Sequence, residues 1–134
     1  MMKKELANQL VENYPDMLCD YGGDPRETCM AWGFECGDGW FPLLKEVCEK
    51  LKDVEGFKFD QVKEKFGMLT IYYTCSDDEN RQYVRKVIDE AESKSLETCE
   101  VCGNPGKRES HQGWLSTECK VCKAIRDARS EFKL

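Results

Sequence analysis

Phe57-Lys58-Phe59-Asp60-Gln61-Val62-Lys63-Glu64-Lys65-Phe66-Gly67-Met68-Leu69-Thr70-Ile71-Tyr72-Tyr73-Thr74-Cys75 reads as two strands folded back on each other. Phe57 and Phe59 alternate with polar neighbours in the first half; Leu69, Ile71, Tyr73 and Cys75 do so in the second. Such alternation collects one set of side chains on a single face of a sheet. The halves meet near Lys65-Phe66-Gly67, where Gly67 can supply the positive φ of a tight turn. Parity shifts between Phe59 and Val62, which predicts a bulge in the first strand.

Helices flank this hairpin on both sides. Upstream, Leu43, Leu44, Val47, Cys48, Leu51 and Val54 form a stripe at helical spacing, ended by Gly56. Pro42 suits the first turn, whose N–H groups have no intrahelical acceptor. Downstream, Ser76-Asp77-Asp78-Glu79 reads as a capping box with acidic residues at the positive end of the helix dipole. The helix it opens runs to about Leu96 and buries Val84, Val87, Ile88 and Ala91. A shorter helix over residues 3–14 aligns Leu6, Leu10 and Tyr14 and stops at Pro15. Between it and Pro42, a glycine-rich segment alternates Met30, Trp32, Phe34 and Cys36, which predicts a short strand. The order predicts an α+β domain: a small antiparallel sheet with helices packed on one face.

Cys99-Glu100-Val101-Cys102 and Cys119-Lys120-Val121-Cys122 are separated by 16 residues, 103 to 118. Two Cys-x2-Cys pairs at this separation match a structural zinc pattern. Each pair turns two thiolates onto one ion, and the insert brings the second pair round to complete a tetrahedron. Gly103 lets the backbone curl back after Cys102. Cys99, Cys102, Cys119 and Cys122 are therefore expected to hold one structural Zn2+ in a C-terminal zinc ribbon. The competing readings are two redox dithiols or a disulfide-bridged tail. His111, the single histidine, lies in the insert as a surface residue or a replacement ligand.

Charge divides the chain. Residues 1–97 carry 13 Lys and Arg against 21 Asp and Glu; residues 98–134 carry 7 against 5. That split predicts an acidic α+β unit over 1–97 and a mildly basic ribbon with a short C-terminal helix over 98–134. The whole chain has 134 residues, 40% apolar and 34% charged, which is ordinary for a globular protein. No apolar run reaches membrane-spanning length, and the start lacks a signal peptide's apolar region. A cytoplasmic location is expected, where nine cysteines, an odd number, point to metal binding and burial rather than disulfides.

Trp32-Gly33-Phe34-Glu35-Cys36-Gly37-Asp38-Gly39-Trp40 has two readings. In one, Trp32, Phe34, Glu35, Asp38 and Trp40 form a partner-binding loop whose glycines permit close approach. In the other, Trp32 and Phe34 sit in the core and Asp38 caps the helix containing Pro42. Cys19, Cys29 and Cys36 lie in or near this region and offer a second metal site only if a fourth ligand joins them. One histidine makes a Cys–His dyad hard to assemble, and no phosphate-cradling glycine motif is present.

Gly37-Asp38-Gly39-Trp40-Phe41 with Leu43-Leu44, Gln61-Val62-Lys63-Glu64-Lys65-Phe66-Gly67, and Thr98-Cys99-Glu100-Val101-Cys102-Gly103 occur in this order. In these blocks the chain resembles a family of small uncharacterised proteins of bacteriophage and bacterial genomes. The resemblance covers roughly residues 32–122 and implies a phage or prophage context, with no activity attached. Members often carry Gly and Leu-Arg after the Phe-Gly, where this chain has Met68-Leu69-Thr70.

The leading expectation is a non-catalytic, zinc-containing binding protein. Its acidic face, or the Trp32–Trp40 loop, engages a protein partner, in a phage context a host defence or regulatory factor. The alternative is nucleic-acid binding by the ribbon, with Lys107, Arg108, Lys120, Lys123, Arg126 and Arg129 on phosphates and Trp114 stacking a base. A third reading is a small hydrolase using Asp38 and Glu35.

Overall fold

The computed structural model describes residues 1–131. Helix α1 (Lys4–Asn13) opens the chain and ends ahead of Pro15. A 3-10 turn (Cys29–Trp32), strand β1 (Phe34–Glu35) and a second 3-10 turn (Asp38–Trp40) lead into α2 (Phe41–Leu51). The hairpin is β2 (Phe57–Lys65) and β3 (Met68–Cys75), followed by α3 (Arg81–Ser95). A second hairpin, β4 (Lys107–His111) and β5 (Trp114–Glu118), precedes α4 (Lys120–Glu131). This is the α+β architecture that the patterning predicts.

The core follows from the alternation in β2 and β3. Phe57, Phe59, Val62, Leu69 and Ile71 point inward and are all buried. They pack in one cluster with Leu44, Val47, Cys48 and Leu51 of α2 and Val84, Val87 and Ile88 of α3. The opposite face presents Lys65, Tyr72 and Thr74 to solvent. The register slips between Phe59 and Gln61, so Asp60 is the extra residue of the expected bulge. The Tyr14 hydroxyl donates to Glu49 Oε2 at 2.6 Å and fastens the end of α1 to α2. That hydrogen bond raises the Tyr14 pKa to about 12.

Three details differ from expectation. The sheet is mixed: β2 and β3 are antiparallel, but β1 runs parallel to β2, pairing Phe34 with Val62. The chain returns from β1 to β2 through α2, and a helical crossover of that kind joins parallel strands. The alternating segment is a strand only at Phe34–Glu35, because Met30 and Trp32 lie in a 3-10 turn. The Thr28 hydroxyl accepts the Met30 N–H at 3.1 Å and starts that turn. Finally, Asp77 replaces Ser76 as the cap before α3: its Oδ1 accepts from Glu79 N at 3.1 Å and Asn80 N at 3.4 Å. Ser76 remains with the strand, since its own N–H pairs with the Gly56 carbonyl at 3.2 Å.

Side chains of α3 cap part of the outer edge of β3. Leu69 N–H donates to Ser95 Oγ and Ile71 N–H donates to Glu92 Oε2, each at 2.9 Å. Burial raises the Glu92 pKa, opposed by the Ile71 hydrogen bond.

Leu44→Ala and Ile71→Ala should each cost about 2–5 kcal/mol in chemical denaturation, as large-to-small changes in a packed core do. A raised folded-state pKa at Glu92 favours folding below the unfolded value and loses that advantage as pH rises through the folded value. Glu92→Gln keeps an acceptor for Ile71 without the buried charge. Its stability relative to the wild type should therefore rise from about pH 4 to about pH 7, read as the difference in denaturation midpoints. A constant difference across that range would show that the carboxylate is not strained by burial.

Candidate metal centre

The first cysteine pair hangs from the end of α3. Cys99 N–H donates to the Asn104 carbonyl at 2.8 Å, and Gly103 N–H returns to the Cys99 carbonyl at 2.9 Å. Gly103 adopts φ +84°, which lets the chain reverse within five residues of Cys99. The second pair spans the junction of β5 and α4, with Cys122 in the first turn of the helix. There Cys122 N–H donates to Cys119 Sγ at 3.3 Å. The insert between the pairs is the β4–β5 hairpin, which carries Cys119 back beside Cys102.

All four sulfurs lie within 4.8 Å of one another, and Cys102 Sγ stands 3.7 Å from Cys119 Sγ. A tetrahedron of metal–sulfur bonds of about 2.3 Å has sulfurs about 3.8 Å apart, so the cluster can hold a metal ion. It is the sole grouping of three or more ligand-type side chains among the described residues. Cys99 is fully buried and Cys102 is exposed, so the centre sits at the surface with one ligand rooted in the interior. The Cys122 N–H lowers the pKa of the Cys119 thiol, whereas burial raises that of the Cys122 thiol, so the cluster favours one thiolate over its neighbours.

The glycine-rich loop proves to be the seat of this centre. Gly37 N–H donates to Glu100 Oε2 at 2.8 Å, and Gly39 N–H donates to the Glu100 carbonyl at 2.7 Å. A Cβ on Gly37 would stand 2.5 Å from the Glu100 carbonyl oxygen, and one on Gly39 would collide with that of Cys99. Trp40, fully buried, donates its indole N–H to the Thr98 carbonyl at 2.9 Å. Farther along, the Thr117 hydroxyl donates to the Gly67 carbonyl at 2.6 Å. Across residue 97, where the charge changes, the ribbon is held to the core at the glycine loop and at the β2–β3 turn.

Placement of the five residues expected to bind a partner corrects that expectation in part. Phe34 and Trp40 are core residues with no surface to offer. Asp38 does not cap α2; its Oδ1 accepts the Lys3 backbone N–H at 2.7 Å, tying down the chain start. Trp32 is 59% exposed rather than in the core, and Glu35 is half-buried. His111 is exposed in β4 and stands outside the sulfur cluster. Cys19 and Cys29 are exposed, whereas Cys36 is buried, and no second metal cluster forms among the described residues. Burial pushes the Cys36 and Cys48 thiols up to about 12. Among the ribbon cations, Lys123 pairs with Glu109 at 2.8 Å and Arg126 with Glu118 at 2.9 Å. Lys107, Arg108, Lys120, Arg129 and Trp114 are exposed.

The glycine seat was the functional feature that sequence reading missed. Its only signal was close spacing of two glycines before a tryptophan, which also fits a loop approached by a foreign partner.

Gly39→Ala should destabilise the protein by at least about 2 kcal/mol and speed metal loss to a chelator, because the intruding methyl meets backbone that cannot yield. Unchanged unfolding and chelation rates would show that the knuckle does not depend on this contact. In comparisons with family models, curated proteins and solved structures the chain matches none, so the centre is read from its own geometry.

Proposed function

We propose that this chain is a non-catalytic binding protein stabilised by one structural zinc ion on Cys99, Cys102, Cys119 and Cys122. Four thiolates at tetrahedral separation suit Zn2+, and they fill its coordination, leaving no position for a substrate or an activated water. The binding surface is the acidic half of the protein around Trp32, and its partner is a protein with a basic face. A phage or prophage setting, with a host factor as that partner, fits this reading.

One observation carries the choice of surface. Trp32 is 59% exposed although its neighbours Met30 and Phe34 are 0% and 2% exposed. A tryptophan held out on anchored backbone has little freedom to lose on binding, and such residues dominate interface energetics. Residues 12–60 add 12 acidic side chains against five basic ones. Several are already paired, among them Asp20 with Lys58 and Glu46 with Lys50. Glu27 remains exposed beside the Trp32 turn, and Glu35 Oε1 is buried with no hydrogen-bond partner among the described residues.

Purified protein should contain about one zinc per chain by elemental analysis, and Cys102→Ser should lower that content and loosen the start of α2 as well as the ribbon. Immobilised wild type should capture a basic protein from cell lysate, with capture weakening as salt is raised. Trp32→Ala with Glu27→Lys should abolish capture, while Lys120→Ala with Arg129→Ala should leave it intact. Asp24 is a poor site for this test, since its Oδ1 holds the Arg26 N–H at 2.9 Å and shapes the turn. Capture that survives the first pair and fails with the second would overturn the acidic-face reading.

A further inference from the structure

The β2–β3 turn breaks a conformational rule. Phe66 and Gly67 form a two-residue loop closed by the Lys65–Met68 pair, with φ +54° at Phe66 and +79° at Gly67. Positive φ at both positions is the habit of type I′ hairpin turns, which favour Asn-Gly. A bulky aromatic in the left-handed region is a genuine outlier. Phe66 gains no burial in exchange, because it is 65% exposed. The turn itself is held firmly. Gly67 N–H donates to Glu64 Oε2 at 2.7 Å, and the Gly67 carbonyl accepts the Thr117 hydroxyl at 2.6 Å. A rigid loop therefore presents a strained aromatic ring to solvent.

The surface beside it has a matching character. Val62, Leu69 and Ile71 face the core, so the intervening positions share the outer face of the sheet. Those positions hold Gln61, Lys63 and Lys65 on β2 and Met68, Thr70 and Tyr72 on β3. These six include two cations; the same face also carries Glu35 of β1, the register partner of Lys63, and Asp60, which accepts the Thr74 hydroxyl at 2.7 Å, on a chain whose net charge is −6. Glu64 is directed into the turn and spent on Gly67. Tyr72 is 43% exposed, and Lys63 Nζ stands 5.9 Å from the centre of its ring. Lys65 Nζ stands 5.8 Å from the centre of the Phe66 ring. Arg108 adds a third cation beside the turn, its Cγ 3.3 Å from where a Cβ on Gly67 would lie.

We propose that the outer face of the β2–β3 hairpin binds single-stranded nucleic acid, with bases stacked on Phe66 and Tyr72 and phosphates held by Lys63, Lys65 and Arg108. Two exposed rings about 14 Å apart along the strand, each with its own ammonium group, form a stacking platform with an electrostatic track. An acidic protein segment would satisfy the cations but leave two separate rings without flat partners. The contacts use only base faces and phosphates, features that DNA and RNA share, so the platform should not distinguish the sugars. This surface borders the Trp32 face at Glu35, the register partner of Lys63, and does not use the paired cations of α4.

Fluorescence anisotropy of labelled dT12 and rU12 with the full chain, at ~50 mM NaCl, tests the assignment in the salt range where phosphate contacts are strongest. Both oligonucleotides should bind with affinities within a few-fold of each other. Phe66→Asn suits the turn better, so thermal stability should hold or rise while affinity falls ~10-fold or more, as loss of a stacked base implies. Tyr72→Phe should retain binding and Tyr72→Ala should lose it. Lys63→Gln with Lys65→Gln should reduce the slope of log affinity against log salt by about 1.4, two phosphate contacts' worth for a single strand. Trp114→Ala should change nothing. Binding undetectable at high protein concentration, or unaltered by Phe66→Asn, would overturn the proposal. So would discrimination of more than ~10-fold between the two sugars, or poly-glutamate binding with the same dependence on Phe66.

Discussion

Gly39 gives its N–H to the Glu100 carbonyl at 2.7 Å, while its Cα lies too close to Cys99 to carry a side chain. Around this single backbone contact three things are set at once. The buried indole of Trp40 finds its acceptor one turn away on Thr98. The first cysteine of the knuckle is pressed into the interior, and α2 begins at the residue after Trp40. A side chain at position 39 would part these elements, whatever the quality of the apolar packing elsewhere.

The residues joined here are 58 to 63 positions apart in sequence. Closing so long a loop has an entropic cost that a few hydrogen bonds scarcely offset. A metal ion on the adjacent thiolates changes that balance, since its binding energy becomes folding energy for whatever the ligands are attached to. Because Cys99 is attached to the core as well as to the ribbon, an ion held there would stabilise both. Thiol chemistry at exposed Cys102 is thereby coupled to packing around Trp40.

Periodicity made the larger elements readable. Alternation through Phe57–Cys75 disclosed the hairpin, its inward face and its bulge, and the stripe from Leu43 to Leu51 disclosed α2. Cysteine spacing disclosed the four-thiol cluster that can hold a metal, because the chemistry of a tetrahedral thiolate site leaves few other arrangements. What stayed hidden depended on partners distant in sequence. The direction of β1 is decided by the crossover through α2, and two extended residues carry no mark of it. Gly37 and Gly39 could be seen to invite a close approach, yet nothing local says that the approaching backbone is the chain's own. Exposure of Trp32 was equally illegible, since an alternating pattern assigns it to the same face as buried Met30 and Phe34.

Two donors of β3 that face away from β2, the N–H groups of Leu69 and Ile71, are occupied by Ser95 and Glu92 of α3. On the other side, β2 is flanked by β1 and, beyond it, by Met17, whose carbonyl accepts the Phe59 N–H at 2.9 Å. With these two donors taken, the β3 edge offers a strand from another molecule a shorter row of free donors, the usual opening for edge-to-edge polymerisation. The apolar, β-prone run Met68–Cys75 is thereby hindered from recruiting copies of itself. Two side chains of a neighbouring helix, rather than a dispersal of charge along the strand, hinder that segment from templating fibres.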